Sequence, residues 1–135
     1  MKIPHRFIVV DDDLINNMLC RVVIKGSLES LDILTFTLPE AGFDFIVKEY
    51  SEKEIPTVLL LDINMPTWSG WDFLEQFDKL DVKIKNQIKI YMLSSSVDPG
   101  DKQRARDNQY VIDYIEKPLQ ERTVLSILEV YQERV

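Results

Sequence analysis

Cysteine is almost missing from this chain: Cys20 stands alone among 135 residues. No internal disulfide can form, and the composition suits a reducing compartment, so a cytoplasmic location is expected. Long apolar runs are missing too. A membrane-spanning helix needs about 20 consecutive apolar residues, and the stretch near the N-terminus is cut short by Asp11, which also argues against a signal peptide. Positive charge is in deficit: 16 Lys and Arg against 23 Asp and Glu leave a net charge of −7. With no basic stripe in any segment, a phosphate-backbone binder is disfavoured, and no nucleic acid or membrane is expected as a partner. No Gly-rich phosphate loop follows the first apolar run, which removes the usual nucleotide cradle. Repeats, low-complexity tracts and long linkers are absent, so residues 1–135 read as a single domain. Its 45% hydrophobic content is enough to build an ordinary core.

What is present is an alternation of two periods. Short apolar, β-branched runs predict strands over 7–12, 57–62, 88–94 and 111–116. Residues 31–38 predict a less covered strand at an edge, with Leu34, Phe36 and Leu38 sharing one side. Between them lie helical spacings. Leu14, Met18, Leu19, Val22 and Val23 mark the first helix. Phe43, Ile46, Val47 and Tyr50 mark the second, opened by Pro39. Phe73, Leu74, Phe77 and Leu80 line the third, Asp98-Pro99 announces a fourth through 108, and Val124, Ile127, Leu128 and Tyr131 line a last helix over 119–134. Five βα units imply an α/β fold: a five-stranded parallel sheet of order 2-1-3-4-5 with helices on both faces.

That order gathers chemistry at one rim. Asp11, Asp12 and Asp13 close the first strand and Asp62 the third, fifty residues after Asp12. Neighbouring parallel strands end together at the crevice where open α/β sheets bind ligands. Two carboxylates about 4 Å apart repel by roughly 4 kcal/mol at an effective dielectric near 20. A hard divalent cation such as Mg²⁺ would offset this. Ser94 to Ser96 end the fourth strand in hydroxyls, and Glu116-Lys117-Pro118 ends the fifth with an ammonium. An anionic phosphoryl group suits such a pocket, held by metal, Lys117 and Ser94 while Asp62 attacks phosphorus.

The segments Val9-Val10-Asp11-Asp12, Leu61-Asp62-Ile63-Asn64-Met65-Pro66 with Gly70, Leu93-Ser94-Ser95 and Tyr114-Ile115-Glu116-Lys117-Pro118 together resemble the signature of the CheY-like receiver domain of two-component response regulators. The likeness runs over about residues 6–133. It implies that Asp62 is the phosphoacceptor for a phosphohistidine, presented by a sensor histidine kinase or a histidine phosphotransfer protein. It implies that Asp12 ligates Mg²⁺ directly and Asp11 mainly through water, with Asp62 and the backbone carbonyl of Asn64 as further ligands. By the same likeness Lys117 pairs first with the carboxylate and then with the phosphoryl group, beside a cis bond to Pro118. Ser94 is implied to bond the phosphoryl oxygen, and Tyr114 to rotate inward as a switch. Asn64 and Ser96 are implied to tune the lifetime of the aspartyl phosphate. Such a domain catalyses only its own phosphorylation and dephosphorylation, and is expected as a monomer or weak dimer with an unknown downstream protein. The first loop and second strand, about Gly26 to Pro39, fit the pattern least.

Taken singly the motifs have plainer readings. Asp11 to Asp13 alone is a solvated turn with Asp13 capping a helix, the serines alone a loop, and Lys117 alone a surface lysine. Their conjunction at four strand ends favours the site. His5 reads as a surface residue, Cys20 as packing, Trp71 as core, and Trp68 as a reporter beside the site. A haloacid-dehalogenase-type phosphatase also uses a strand-end Asp, Mg²⁺, Ser or Thr and Lys, but it needs a second carboxylate where Asn64 stands, and an amide cannot protonate a leaving group. A docking module independent of phosphorylation is the other alternative, with nothing in the residues to favour it. The chain ends soon after its last helix, so no DNA-binding or enzymatic output domain is expected to follow. The fourth helix has almost no apolar stripe and collects Lys102, Arg104 and Arg106. It is expected to be weakly held and to carry a surface that changes with the state of the site.

Overall fold

Five residues in a row, Thr57 to Leu61, are buried on both sides, which a central strand of a helix-covered parallel sheet allows. The computed structural model describes residues 3–95 and 98–134. Its strands are β1 (Arg6–Val10), β2 (Asp32–Phe36), β3 (Thr57–Leu61), β4 (Ile88–Ser94) and β5 (Val111–Glu116), all parallel and ordered β2-β1-β3-β4-β5. The helices are α1 (Leu14–Ser27), α2 (Pro39–Tyr50), α3 (Gly70–Asp78), α4 (Val82–Lys85), α5 (Pro99–Asp107) and α6 (Glu121–Arg134). This is the flavodoxin-like (βα)5 arrangement expected from the alternation of periods. The helix anticipated as the fourth is α5, because a single turn intervenes. There Asp81 caps α4 by accepting from the Lys83 amide, and only Ile84 is buried.

The pleat divides the core into two layers. Ile8, Val10, Leu59, Leu61, Ile90 and Met92 point to one face, where they meet Ile46 and Tyr50 of α2, Phe73, Leu74 and Phe77 of α3, and Ala105 of α5. Phe7, Val9, Val58, Leu60, Tyr91 and Leu93 point to the other, against Cys20 and Ile24 of α1 and Val124, Ile127, Leu128 and Tyr131 of α6. The inner faces anticipated for α3 and α6 are those buried, save that Leu80 follows α3 and is half-buried. Asp13 caps α1 by accepting from the amides of Ile15 and Asn16. Ser69 and Asp72 form a reciprocal capping box on α3, which fixes where that helix starts.

The first helix departs from what its spacing suggests. Leu14, Ile15, Met18, Leu19 and Val22 are 52–70% exposed, while Asn16, Asn17, Cys20 and Ile24 are buried. Periodicity locates a helix, but an apolar stripe marks the core face only when nothing else claims the inner one. Here the two asparagines claim it. Leu38 is likewise exposed, because β2 ends at Phe36 and Leu38 serves as the residue before α2. Trp71, anticipated in the core, is only half-buried on α3. His5 is exposed and Cys20 fully buried, as their positions suggested. Among the described residues no helix is long and apolar enough to cross a membrane.

Candidate functional site

Strand register builds the rim. Val10 of β1 pairs with Leu61 of β3, so the next residue of each chain, Asp11 and Asp62, emerges side by side. The Asp62 amide donates to the Val10 carbonyl at 2.9 Å, and the Asp11 amide to the Phe36 carbonyl at 3.0 Å. On the other side Ser94 pairs with Glu116, and the Lys117 amide donates to the Ser94 carbonyl at 3.0 Å. Lys117 and Pro118 are joined by a cis peptide bond, as the likeness to receivers implied.

Asp11, Asp12 and Asp62 each offer a carboxylate oxygen within 4.8 Å of the others. Asp11 and Asp62 are buried, whereas Asp12 faces solvent. The Lys117 ammonium lies 2.6 Å from Asp11 Oδ2 and 3.4 Å from Asp62 Oδ1. It pairs with both, and the shorter contact is with Asp11 rather than with Asp62. Burial pushes the Asp62 carboxyl up to about 6, and the nearby Asp11 charge pushes the same way. Lys117 and the Ile63 amide pull less strongly downward. For Lys117, burial works against the charged form, but the two carboxylates outweigh it and the pKa is raised. A half-desolvated anion cluster with a single ammonium is under-compensated. Its donors are hard carboxylate oxygens converging from two strand ends, the set that suits Mg²⁺. The residues present fit that ion.

Ser94 is buried at the end of β4, one strand from Asp62 in the sheet order. Asn64 is exposed in the loop leaving β3. Tyr114 belongs to β5. It is half-buried, with the Lys102 ammonium 5.8 Å from its ring centroid. Ser96, named above for tuning, lies outside the described residues. Trp68 packs edge-on against Phe43 and Phe73 with centroids 5.6 and 6.4 Å away. In the same loop the Thr67 hydroxyl donates to Glu40 at 2.6 Å, so α2 braces the segment after Asp62.

Three residues serve the site in ways the motifs alone did not reveal. Gly70 begins α3 with its amide donating to the Ile63 carbonyl at 2.7 Å. A Cβ there would stand 2.5 Å from the Asp62 carbonyl oxygen and 2.7 Å from Met92 Cε, so only glycine allows the helix to start against the strand end. Asn16 Nδ2 donates to Asp11 Oδ2 at 2.7 Å, and Asn17 Nδ2 to the Asp11 carbonyl at 3.0 Å. The available signal was spacing: Asn16 and Asn17 lie five and six residues after Asp11 and just inside the Asp13 cap. That places both side chains in the first turn of α1, whose inner face returns over the strand end.

Comparison with known proteins agrees with this geometry. The family model of the response regulator receiver domain matches residues 7–129. A solved two-component response regulator from Cytophaga hutchinsonii is 26% identical, with 98% of this chain and 99% of that one covered and a TM-score of 0.89. A protein-glutamate methylesterase/protein-glutamine glutaminase from Paraburkholderia xenovorans is 26% identical over 114 residues, 84% of this chain and 29% of its own. A hybrid signal transduction histidine kinase I from Dictyostelium discoideum is 21% identical over 126 residues, 93% of this chain and 7% of its own. The chain thus spans less than a third of the curated relatives it matches.

Proposed function

The chain belongs to the response regulator receiver family, and on that premise we propose that Asp62 accepts a phosphoryl group from a phosphohistidine. The observation that carries this is the Lys117 ammonium set between two buried carboxylates at 2.6 and 3.4 Å, inside a three-carboxylate cluster at the sheet's carboxyl rim. A receiver acts on itself, as substrate and site of its own phosphorylation and dephosphorylation, rather than on an external substrate.

In the transfer an Asp62 oxygen bonds to phosphorus as the P–N bond of phosphoimidazole breaks. The departing nitrogen keeps the electron pair, and a ring protonated on its other nitrogen leaves as neutral histidine, so no base is needed. Asp11, Asp12, Asp62 and the Asn64 carbonyl would hold Mg²⁺, which supplies positive charge against the carboxylates and the phosphoryl oxygens. Lys117, already in reach of Asp62, turns its ammonium to the phosphoryl group once the Asp62 charge has moved outward. Ser94 donates its hydroxyl to another phosphoryl oxygen, and Tyr114 follows by packing inward along β5. A phosphoryl group displaced this way alters the α5, β5 and α6 surface, where a downstream protein would read it.

A partner whose histidine reaches Asp62 must lie over the carboxyl rim. There α1 offers Leu14, Ile15, Met18, Leu19 and Val22, an exposed apolar face that begins directly after the acidic cluster. A histidine-bearing helical partner, either a sensor kinase or a phosphotransfer domain, would bury it. Likeness to two-component proteins supports such a donor, and a cytoplasmic setting goes with it. The whole of residues 1–135 is taken as one receiver unit.

Acetyl phosphate with Mg²⁺, followed by intact mass, tests the acceptor. One acid-stable, base-labile phosphoryl addition is expected, requiring Mg²⁺ and absent from Asp62→Asn. Addition that persists in that variant would mean the acceptor is another residue.

A further inference from the structure

In the first turn of α1 the side chains that face inward are two asparagines, while five large apolar side chains of the helix face out. Asn16 and Asn17 are 7% and 2% exposed, and Asn17 Oδ1 is buried among the described residues with no hydrogen-bond partner. An orphaned acceptor in the interior is unfavourable, and core packing alone would put leucine there. Five apolar side chains of the same helix meanwhile stay in solvent. Packing therefore does not explain these amides, and their donors do: Asn17 holds the Asp11 main chain and Asn16 its carboxylate.

Every polar atom of Asp11 is engaged. Its amide donates to Phe36 O, Oδ1 accepts from the Asp13 amide at 2.9 Å, and Oδ2 accepts both Asn16 Nδ2 at 2.7 Å and Lys117 Nζ at 2.6 Å. Asn16 and Lys117 therefore share one oxygen. When Lys117 turns toward a phosphoryl group on Asp62, Asp11 loses the only cation within 4 Å among the described residues. The Asn16 amide remains on the vacated oxygen and is fixed by the helix that carries it.

We propose that Asn16 is a positioning residue of the metal site: through its 2.7 Å bond to Asp11 Oδ2 it holds that carboxylate in the orientation that receives Mg²⁺, and keeps it there after Lys117 leaves. This rests on the phosphoacceptor reading above. Donors behind ligand carboxylates set metal affinity by about 10- to 100-fold in known sites.

The test is a calorimetric Mg²⁺ titration of the full chain and of Asn16→Ala and Asn16→Leu, with melting curves and acetyl phosphate kinetics at varied Mg²⁺. Leucine keeps the side-chain volume and removes the donor, so folding is preserved if alanine leaves a harmful void. Cys20→Ala is the structural control, since the Cys20 thiol lies 3.6 Å from Asn16 Nδ2 but makes no bond to Asp11. Both Asn16 variants are expected to bind Mg²⁺ about tenfold more weakly, equivalent to about 1.4 kcal/mol. Their phosphorylation rate should recover to within threefold of native at saturating Mg²⁺. Cys20→Ala should lower the melting temperature and leave Mg²⁺ affinity unchanged. Affinity within twofold of native in either folded Asn16 variant overturns the proposal, as does a rate deficit that saturating Mg²⁺ does not restore. A native chain that binds no Mg²⁺, or takes no phosphoryl group on Asp62, overturns instead the reading on which the proposal rests.

Discussion

Helices α1 and α5 both present unusual surfaces, and they are unusual in opposite ways. The first shows five large apolar side chains to solvent, yet its root is tied to Asp11 through two buried amides and to the core through Cys20 and Ile24. The other buries only Ala105 and reaches its neighbours through charge. Lys102 contacts Glu116 at 2.6 Å, and the Arg104 guanidinium sits 4.6 Å over the Trp71 ring. A helix anchored inside and apolar outside can offer the same face in every state. One held by exposed polar contacts opens easily. The division suggests that α1 is the constant surface, for the phosphodonor, and α5 the changing one, for whatever reads the signal.

The largest effect should come from charging the constant face. Ile15→Glu with Met18→Glu removes two exposed anchors, each about 1–2 kcal/mol at a protein interface, so transfer from a sensor kinase that phosphorylates the native chain should fall about thirtyfold to several hundredfold. Labelling by acetyl phosphate should stay within twofold, because a small donor needs no docking face. The pair Lys102→Glu and Arg106→Glu on α5 should leave kinase transfer within threefold. Equal losses from the two helices would erase the division, and a loss with acetyl phosphate as well would point to a damaged fold.

Hydrogen exchange sharpens the contrast without mutation. Amides of α5, over 102–107, should exchange at least about tenfold faster than those of the inner turns of α1, over 18–24, since so little apolar surface must be exposed to open α5. Adding Mg²⁺ and a phosphoryl mimic should alter protection over 98–110 and leave α1 unchanged. Identical protection of 98–110 with and without the mimic would sink the idea that α5 changes.

This contrast was half legible in the sequence. The alternation of periods predicts five strands and their order, because strands buried on both faces have a composition that little else allows. Asp11, Asp12, Asp62 and Lys117 come together because register places strand ends at one rim, and register follows from the pleat. Low apolar content marked α5 as a helix with little to bury, and only Ala105 of it is buried. The facing of α1 was not legible. Its apolar spacing is as regular as that of a core helix, and only the returned turn over Asp11 shows that asparagine belongs inside. The short α4 was missed for a related reason: one turn held by Asp81 and Ile84 has no period to detect.

A smaller effect concerns the acidic cluster to which α1 is tied and α5 is not. The Asp62 carboxyl is raised from 3.8 to about 6, so between those values the folded chain binds more protons than the unfolded one. Stability is then lost as pH rises through that window, in the absence of Mg²⁺. Asp62→Asn removes the ionised form and should raise stability at pH 7.5 by on the order of 2 kcal/mol. The gain should vanish near pH 4 and shrink when Mg²⁺ is added to the native chain. Melting curves at both pH values measure it. A variant less stable than native at pH 7.5 would mean that the Lys117 pairing outweighs the burial of the charge.

The smallest effect tests α5 by its own contacts. Arg104→Ala removes the cation over Trp71, an exposed interaction of about 0.5–1 kcal/mol, so the melting temperature should fall by only about 2–4 °C. Its value lies in the optical signal, since loss of the guanidinium 4.6 Å from the ring alters the surroundings of the Trp71 indole. In a Trp68→Phe background, Arg104→Ala should shift the emission of the resting chain. If phosphorylation carries α5 away from α3, the native emission should shift in the same way, and Arg104→Ala should add little to the phosphorylated chain. Two shifts that add in full would mean that Arg104 stays on Trp71 in both states, and the changing surface would then have to be sought along β5 and α6 instead.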